Sequence, residues 1–191
     1  ANEVIANLVC IARGAEIGSS KDGAYLEAGG VHPNDHVNMG QSSNDTFPTA
    51  MNVALAVAIR ERLLPAVARM AAELEAKAKA WDNTGKIGRT HVQAAPPVRR
   101  GQEFSGYAAQ MREAERRLNG AIDALCPLAL GGTAVGTGIN THKEFGGRVA
   151  AKLAERTGVP FREAANHFEA QHTRDCVVEA SGVLKTVAVS M

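Results

Sequence analysis

The sequence has few aromatic residues and almost no net charge. Aromatic side chains make up only 4% of its 191 residues, whereas hydrophobic residues make up 45%. Because β-sandwiches draw on aromatic and β-branched residues, this alanine-rich composition favours closely packed helices. The net charge of +1 creates no long-range field that would attract nucleic acid or a membrane surface, so we expect neither as a partner.

Cysteine is also scarce. Cys10, Cys126 and Cys176 are far apart, odd in number and outside any C-x-x-C motif. This pattern predicts free thiols that serve as small apolar side chains in a reducing compartment, which we take to be the cytoplasm. No apolar run approaches the length of a membrane span, and no signal peptide is recognisable.

Apolar residues recur at helical spacings in two long segments. One covers about residues 45–81, with Pro65 expected to bend it, and the other follows Pro97 and continues to about Leu125. Shorter helices are predicted near residues 3–15, 143–156 and 173–191. These patterns predict an all-α fold built as a bundle of long helices.

The segments between the helices carry no convincing period-two alternation. Residues 14–40 and 128–138 are rich in glycine and polar residues, and we expect loops there. Residues 86–95 are expected to form a short extended connection.

The two longest helices are apolar around much of their circumference. A chain this short cannot bury such surfaces, so we expect bundle-on-bundle oligomerisation, although further segments of the same chain could cover them instead. The helical patterns at both ends have no capping residues. We therefore expect the sequence to be part of a longer chain, incomplete at both ends.

A run of polar residues, Gln41-Ser42-Ser43-Asn44-Asp45, precedes the first long helix. A helix N-terminus carries unpaired N–H groups and partial positive charge. Hydroxyl and amide donors at this point predict an anion site. The alternative is that these residues are only N-caps and turn formers.

A second polar stretch, residues 88–93, contains Thr90 and His91. A histidine in a polar connection before a helix is a candidate acid–base or water-positioning group. A surface or capping histidine is the alternative.

The other histidines give weaker signals. His32 and His36 have the spacing of a metal pair on a helix, but Pro33 argues against a helix there and no third ligand is suitably placed, so we expect no metal. The glycine-rich residues 131–138 lack the features of a nucleotide loop, and no cofactor is expected. Three isolated histidines are interpreted as surface or capping residues: His142, His167 and His172.

Several segments together resemble the class II fumarases of the fumarase/aspartase superfamily. The matching segments, in the order of the family, are residues 32–35, 41–50, 88–91, 101–106 and 130–141. The resemblance implies the central helical domain of that fold, a homotetramer, and active sites assembled from three subunits. It also implies a tricarboxylic acid cycle reaction, the reversible anti hydration of fumarate to L-malate through an aci-carboxylate intermediate.

The resemblance also implies roles for particular residues. Ser42, Ser43, Asn44 and Thr90 resemble substrate-binding residues, and His91 resembles the catalytic histidine that holds water and transfers a proton. A second, non-catalytic dicarboxylate site is implied for four residues: His32, Pro33, Asn34 and Asp35. The implied division is residues 1–34 as the tail of an N-terminal domain with a connecting loop, and residues 35–191 as the central bundle.

Three residues depart from the family pattern: Ala94, Arg99 and Arg100. They leave open a non-catalytic helical assembly module, and an enzyme like aspartate ammonia-lyase is the alternative lyase. The family's serine-base loop has no counterpart in these 191 residues, so the isolated chain is expected to be inactive.

Overall fold

The computed structural model describes every residue, Ala1–Met191, and is built from eight α-helices. The helices are α1 (Asn2–Ala12), α2 (Gly23–Glu27), α3 (Ser43–Ala58), α4 (Leu64–Ala80), α5 (Arg100–Leu125), α6 (Phe145–Thr157), α7 (His167–His172) and α8 (Asp175–Ser190). Two pairs of short strands accompany them: β1 (Gly85–Thr90) with β2 (Gln93–Arg99), and β3 (Pro127–Leu128) with β4 (Arg162–Glu163). The prediction of a helical bundle is confirmed.

The hydrophobic core is organised around α5. This helix packs against α4 and α8 along its length, and Met111, Leu118 and Leu125 on its inner face are almost completely buried. Its 26 residues make it about 39 Å long, at about 1.5 Å per residue. None of the helices is both long and apolar enough to cross a membrane.

The long helical segment that begins near Asp45 is interrupted where a bend was expected. A five-residue π-helical turn, Ile59–Leu63, separates α3 from α4, and Pro65 lies in the first turn of α4. Proline lacks an N–H and its ring clashes with the carbonyl four residues earlier, so the wider turn accommodates it. The predicted interruption is confirmed, but its centre lies before the proline.

Residues 86–95 are largely extended, as expected, but they form most of a β-hairpin, which was not predicted. β1 and β2 form an antiparallel hairpin with an irregularity between Ile87 and Gly88. Most side chains on both strands are exposed, so no buried face imposes an apolar alternation on the sequence. Pro96 and Pro97 within β2 further obscured the strand.

The segment before α3 is more ordered than the expected loop. It contains a 3₁₀ turn (Ser19–Lys21), α2 and a π-helical turn (Pro33–Val37). The argument that Pro33 excludes a helix was wrong, because proline is tolerated in a first helical turn, where its missing N–H is not needed.

Candidate functional site

The polar run before α3 forms a capped helix start. Ser42 is the N-cap, and its hydroxyl accepts a hydrogen bond from the backbone N–H of Asn44 at 3.2 Å. In return, the Asp45 carboxylate accepts the backbone N–H of Ser42 at 2.9 Å. Part of this run therefore serves the capping role that was the alternative interpretation, whereas Ser43 and Asn44 remain exposed.

The glycine-rich loop (residues 131–138) lies against this helix start. The second carboxylate oxygen of Asp45 accepts the backbone N–H of Gly131 at 3.2 Å and that of Thr133 at 2.8 Å. The side-chain amide of Asn44 donates to the carbonyl of Ala134 at 2.7 Å. Two segments almost ninety residues apart in sequence thus form one wall.

A cavity of about 510 Å³ opens beside this wall. Its lining contains no acidic side chain, and it contains two residues that can carry positive charge, His172 and Arg174. The ten lining residues are Ser43, Asn44, Phe47, Pro48, Ala134, Val135, Phe168, Gln171, His172 and Arg174. Neutral donors, a helix N-terminus and this charge balance suit a small anion with an apolar body.

Arg174 also closes the end of α7. Its guanidinium donates to the carbonyls of Ala170 and Gln171, each at 3.1 Å, and to that of Thr173. These bonds hold its positive charge beside the cavity.

Thr90 and His91 lie elsewhere in the chain. His91 and Val92 form the two-residue turn of the hairpin, both with left-handed backbone angles, φ 50° and 61°. Thr90 and His91 are exposed, and neither lines the cavity that contains Ser43 and Asn44.

The hairpin and the cavity belong to opposite ends of α5. The base of the hairpin joins the first residue of α5, whereas the glycine-rich loop follows its last turn, and the helix between them is about 39 Å long. One chain therefore does not bring His91 to Ser43.

The predicted second site forms a compact turn. The imidazole Nδ1 of His32 accepts the backbone N–H of Asp35 at 3.1 Å, and Nδ1 of His36 accepts that of His32 at 2.8 Å. Pro33 is buried, and Asn34 and Asp35 are exposed. These contacts stabilise the turn. The Asp35 carboxylate also lies 3.0 Å from Nδ1 of His32, while its side chain and that of Asn34 remain exposed.

His167 was wrongly interpreted as a surface or capping residue. Its Nε2 lies 3.2 Å from Glu163 and 3.4 Å from the carbonyl of Leu130, at the edge of a polar cavity of about 220 Å³. Glu163 lies on β4 and His167 begins α7, so their spacing is not that of a helical pair, and no sequence pattern indicated this contact. His142 does cap locally, since its Nδ1 accepts the N–H of Glu144 at 3.2 Å.

The structure gives local roles to the two arginines that depart from the family pattern. Arg99 pairs with Asp82 at 3.2 Å, and the guanidinium of Arg100 lies 5.5 Å from the centre of the Trp81 ring. Both contacts fasten the base of the hairpin to the end of α4. Ala94 is exposed on β2, opposite Arg89.

The geometry defines a helical-bundle protein in which a capped helix start borders a cavity without acidic lining residues. A family model described as "Lyase" matches residues 1–191, and the chain belongs to this family.

Curated relatives are similar over nearly the whole chain. This chain is 52% identical over 188 residues to the fumarate hydratase class II of Methylorubrum extorquens. The alignment covers 98% of this chain and 38% of that protein. The chain is 50% identical over 190 residues to the mitochondrial fumarate hydratase of Rhizopus oryzae, covering 100% of this chain and 37% of that protein. The chain thus spans less than two fifths of the length of these relatives.

Solved structures show the same fold. A class II fumarase from Schistosoma mansoni aligns with a TM-score of 0.79 and 38% identity, covering 87% of this chain and 39% of that one. A fumarate lyase:delta crystallin from Brucella melitensis, bound to cobalt, aligns with a TM-score of 0.87 and 36% identity. The alignment covers 99% of this chain and 39% of that one.

Proposed function

We propose that this chain is the central part of a class II fumarate hydratase, which catalyses the reversible anti hydration of fumarate to L-malate. The observation that carries the proposal is the start of α3, where Ser43 and Asn44 face a cavity with no acidic lining residue. The similarity to fumarate hydratases at about half of all positions supports the same assignment.

The proposed chemistry needs donors around a carboxylate that gains charge during the reaction. Removal of the C3 proton of L-malate leaves a carbanion that is stabilised as an aci-carboxylate, with two negative charges on one carboxyl group. Fixed N–H and O–H donors in a site shielded from water lower the energy of such a species. In the proposal, Ser43 and Asn44 supply these donors from the cavity lining. Ser42 lies outside this lining, and its proposed contribution is the O–H of the hydroxyl whose oxygen caps α3.

Thr90 and His91 complete the proposed site. Thr90 is a further substrate contact, and His91 holds the reacting water and transfers a proton. In the proposal both residues come from a neighbouring copy of the chain, because within one copy they lie at the far end of α5 from the cavity. This separation supports the proposed homotetramer with shared active sites.

Two further elements belong to the proposal. The turn of His32, Pro33, Asn34 and Asp35 is a second, non-catalytic dicarboxylate site, supported by its exposed polar groups. The protein works in the cytoplasm, in the tricarboxylic acid cycle, and its free cysteines are compatible with that reducing compartment.

The experiment compares two substrates with the complete protein that the gene encodes. Purified protein is incubated separately with L-malate and L-aspartate, and fumarate is followed by its ultraviolet absorbance. Fumarate from L-malate alone is the expected result. Fumarate from L-aspartate would instead assign the protein as an ammonia-lyase, and no product from either would favour a non-catalytic module.

The non-catalytic alternative has lost part of its motivation. Arg99 and Arg100 have local partners at the base of the hairpin, so they need no altered function to account for them.

A further inference from the structure

Asp45 is the only acidic side chain in the buried part of this protein. Its exposed fraction is 0%, and no lysine, arginine or histidine forms an ion pair with it. A buried carboxylate is costly unless hydrogen bonds replace its lost hydration. Three backbone N–H groups do so here, from Ser42, Gly131 and Thr133.

These hydrogen bonds hold a loop in an unusual conformation. The backbone angle φ is 106° at Gly131 and 56° at Thr133, and a left-handed conformation is unfavourable for a threonine. The Thr133 hydroxyl has no hydrogen-bond partner, so its side chain does not provide the support. The backbone contact with Asp45 does, and Gln171 holds the loop from the other side by donating to the Thr133 carbonyl at 2.6 Å.

The held loop sets the orientation of a cavity residue. Ala134, the residue after Thr133, presents its carbonyl to the side-chain amide of Asn44. This bond uses one N–H of the Asn44 amide and fixes the plane of the group, which leaves the second N–H and the oxygen for a ligand. Asp45 thus acts on Asn44 through the loop, without lining the cavity itself.

We propose that Asp45 is a positioning residue of the carboxylate-binding site: its carboxylate locks the glycine-rich loop to the start of α3, and the loop orients the Asn44 amide toward the bound carboxylate. The inference rests on the proposed function in taking a dicarboxylate as the ligand. Gln171 is the second residue of the same lock.

The test uses Asp45→Asn in the complete protein. Whichever way the new amide is turned, its NH₂ group opposes a backbone N–H, either that of Ser42 or those of Gly131 and Thr133. The link between the start of α3 and the loop is therefore broken on one side, while the volume of the side chain is kept. We expect kcat/KM on L-malate to fall at least about tenfold, and the affinity for succinate, a non-reacting dicarboxylate, to weaken measurably in calorimetry. A crystal structure of the variant should show the bond from Asn44 to Ala134 broken.

Asn52→Asp is the matched control. Asn52 lies in the same helix, is 7% exposed and donates to the carbonyl of Pro127 at 3.1 Å, but it does not line the cavity. This variant also loses a buried hydrogen bond and should melt at a lower temperature. Its kcat/KM and succinate affinity, measured below the melting temperature, should stay within about twofold of those of the parent.

If Asp45→Asn does not fold, Gln171→Met tests the same proposal. It removes one bond from a half-buried side chain, and we expect a threefold or greater loss of succinate affinity at nearly unchanged melting temperature, about the effect of a weak neutral hydrogen bond. Because Gln171 also lines the cavity, a crystal structure of this variant separates the two causes. A broken bond from Asn44 to Ala134 supports the proposal, and an intact bond beside a lost affinity counts against it. The proposal is overturned if Asp45→Asn loses only thermal stability, or if Asp45→Asn is unfolded and Gln171→Met binds succinate normally. If the parent protein does not turn over L-malate, the proposed function fails, and the succinate measurements still decide the role of Asp45.

Discussion

Lys86 and Glu103 form an ion pair in which the ammonium group lies 2.8 Å from both carboxylate oxygens, joining β1 to the first turn of α5. Hydrogen bonding to Lys86 lowers the pKa of Glu103 below its ordinary value of 4.5. A lowered carboxyl pKa means that the pair stabilises the fold above pH 4.5 and that this contribution is lost as the pH falls through the folded-state pKa.

The first prediction follows from this pair. Glu103→Gln should lower the melting temperature at neutral pH, and the difference from the parent should shrink below pH 4.5 and then vanish. Glu113→Gln is the control, because its pair with Arg116 is exposed and joins residues of a single helix. A difference for Glu103→Gln that persists in acid would show that the ion pair does not stabilise the hairpin.

The second prediction concerns the tip of the hairpin. His91→Asn should lower turnover of the complete protein on L-malate by about a hundredfold or more, the scale for losing an acid–base group. His142→Asn, which removes only a local cap, should leave turnover within about twofold. Unchanged turnover in His91→Asn would remove this residue from the mechanism.

The third prediction concerns Val92, the residue that follows His91. Val92 has φ 61° and a side chain that is 97% exposed, so its unfavourable backbone is not offset by burial. Val92→Gly should stabilise the protein by about 1 kcal/mol, because glycine adopts this conformation without a steric penalty. Val92→Ala keeps a Cβ and should change the unfolding free energy by less than about 0.5 kcal/mol. Urea denaturation compares the two, and equal effects would contradict the assignment of strain.

The fourth prediction concerns the core. Leu118 on α5 is 0% exposed, so Leu118→Ala should cost about 2–5 kcal/mol of unfolding free energy. Ile17 is 72% exposed, and Ile17→Ala should cost less than about 0.5 kcal/mol. A small loss for Leu118→Ala in denaturant titration would show that the core around α5 collapses to fill the space.

The longer helices could be predicted from sequence because apolar residues recur along them at helical spacings. The short helices α2 and α7 bury no residue and were not predicted. The predicted end of α5 at Leu125 is confirmed, and the prediction for α6 ended one residue short of its last residue, Thr157. The hairpin could not be predicted, because strands without a buried face carry no alternating pattern. Its stability comes instead from pairing and from contacts at its base, such as Phe104 against Trp81 at 4.7 Å.

The candidate site could be predicted only in part. The polar run at Ser42, Ser43 and Asn44 marked the helix start correctly, but the role of Asp45 depends on a loop that is 86 and 88 residues away in sequence. No local pattern reveals such a pair. Nor could spacing show that Thr90 and His91 lie apart from this site, since that separation follows from the length of α5.

The length of α5 also limits how this protein can change in evolution. Inserting one residue turns everything beyond it by about 100° and moves it by about 1.5 Å, whereas seven residues restore the orientation to within about 20° but add about 10 Å. Deleting seven residues from both α4 and α5 would therefore preserve the packing of the bundle. The tip of the hairpin would then no longer reach the cavity of the neighbouring copy, where it is proposed to contribute Thr90 and His91. The lengths of α4 and α5 set the distance between the hairpin and the cavity. Functional variants of this protein should therefore differ in the lengths of their loops and keep the lengths of these two helices.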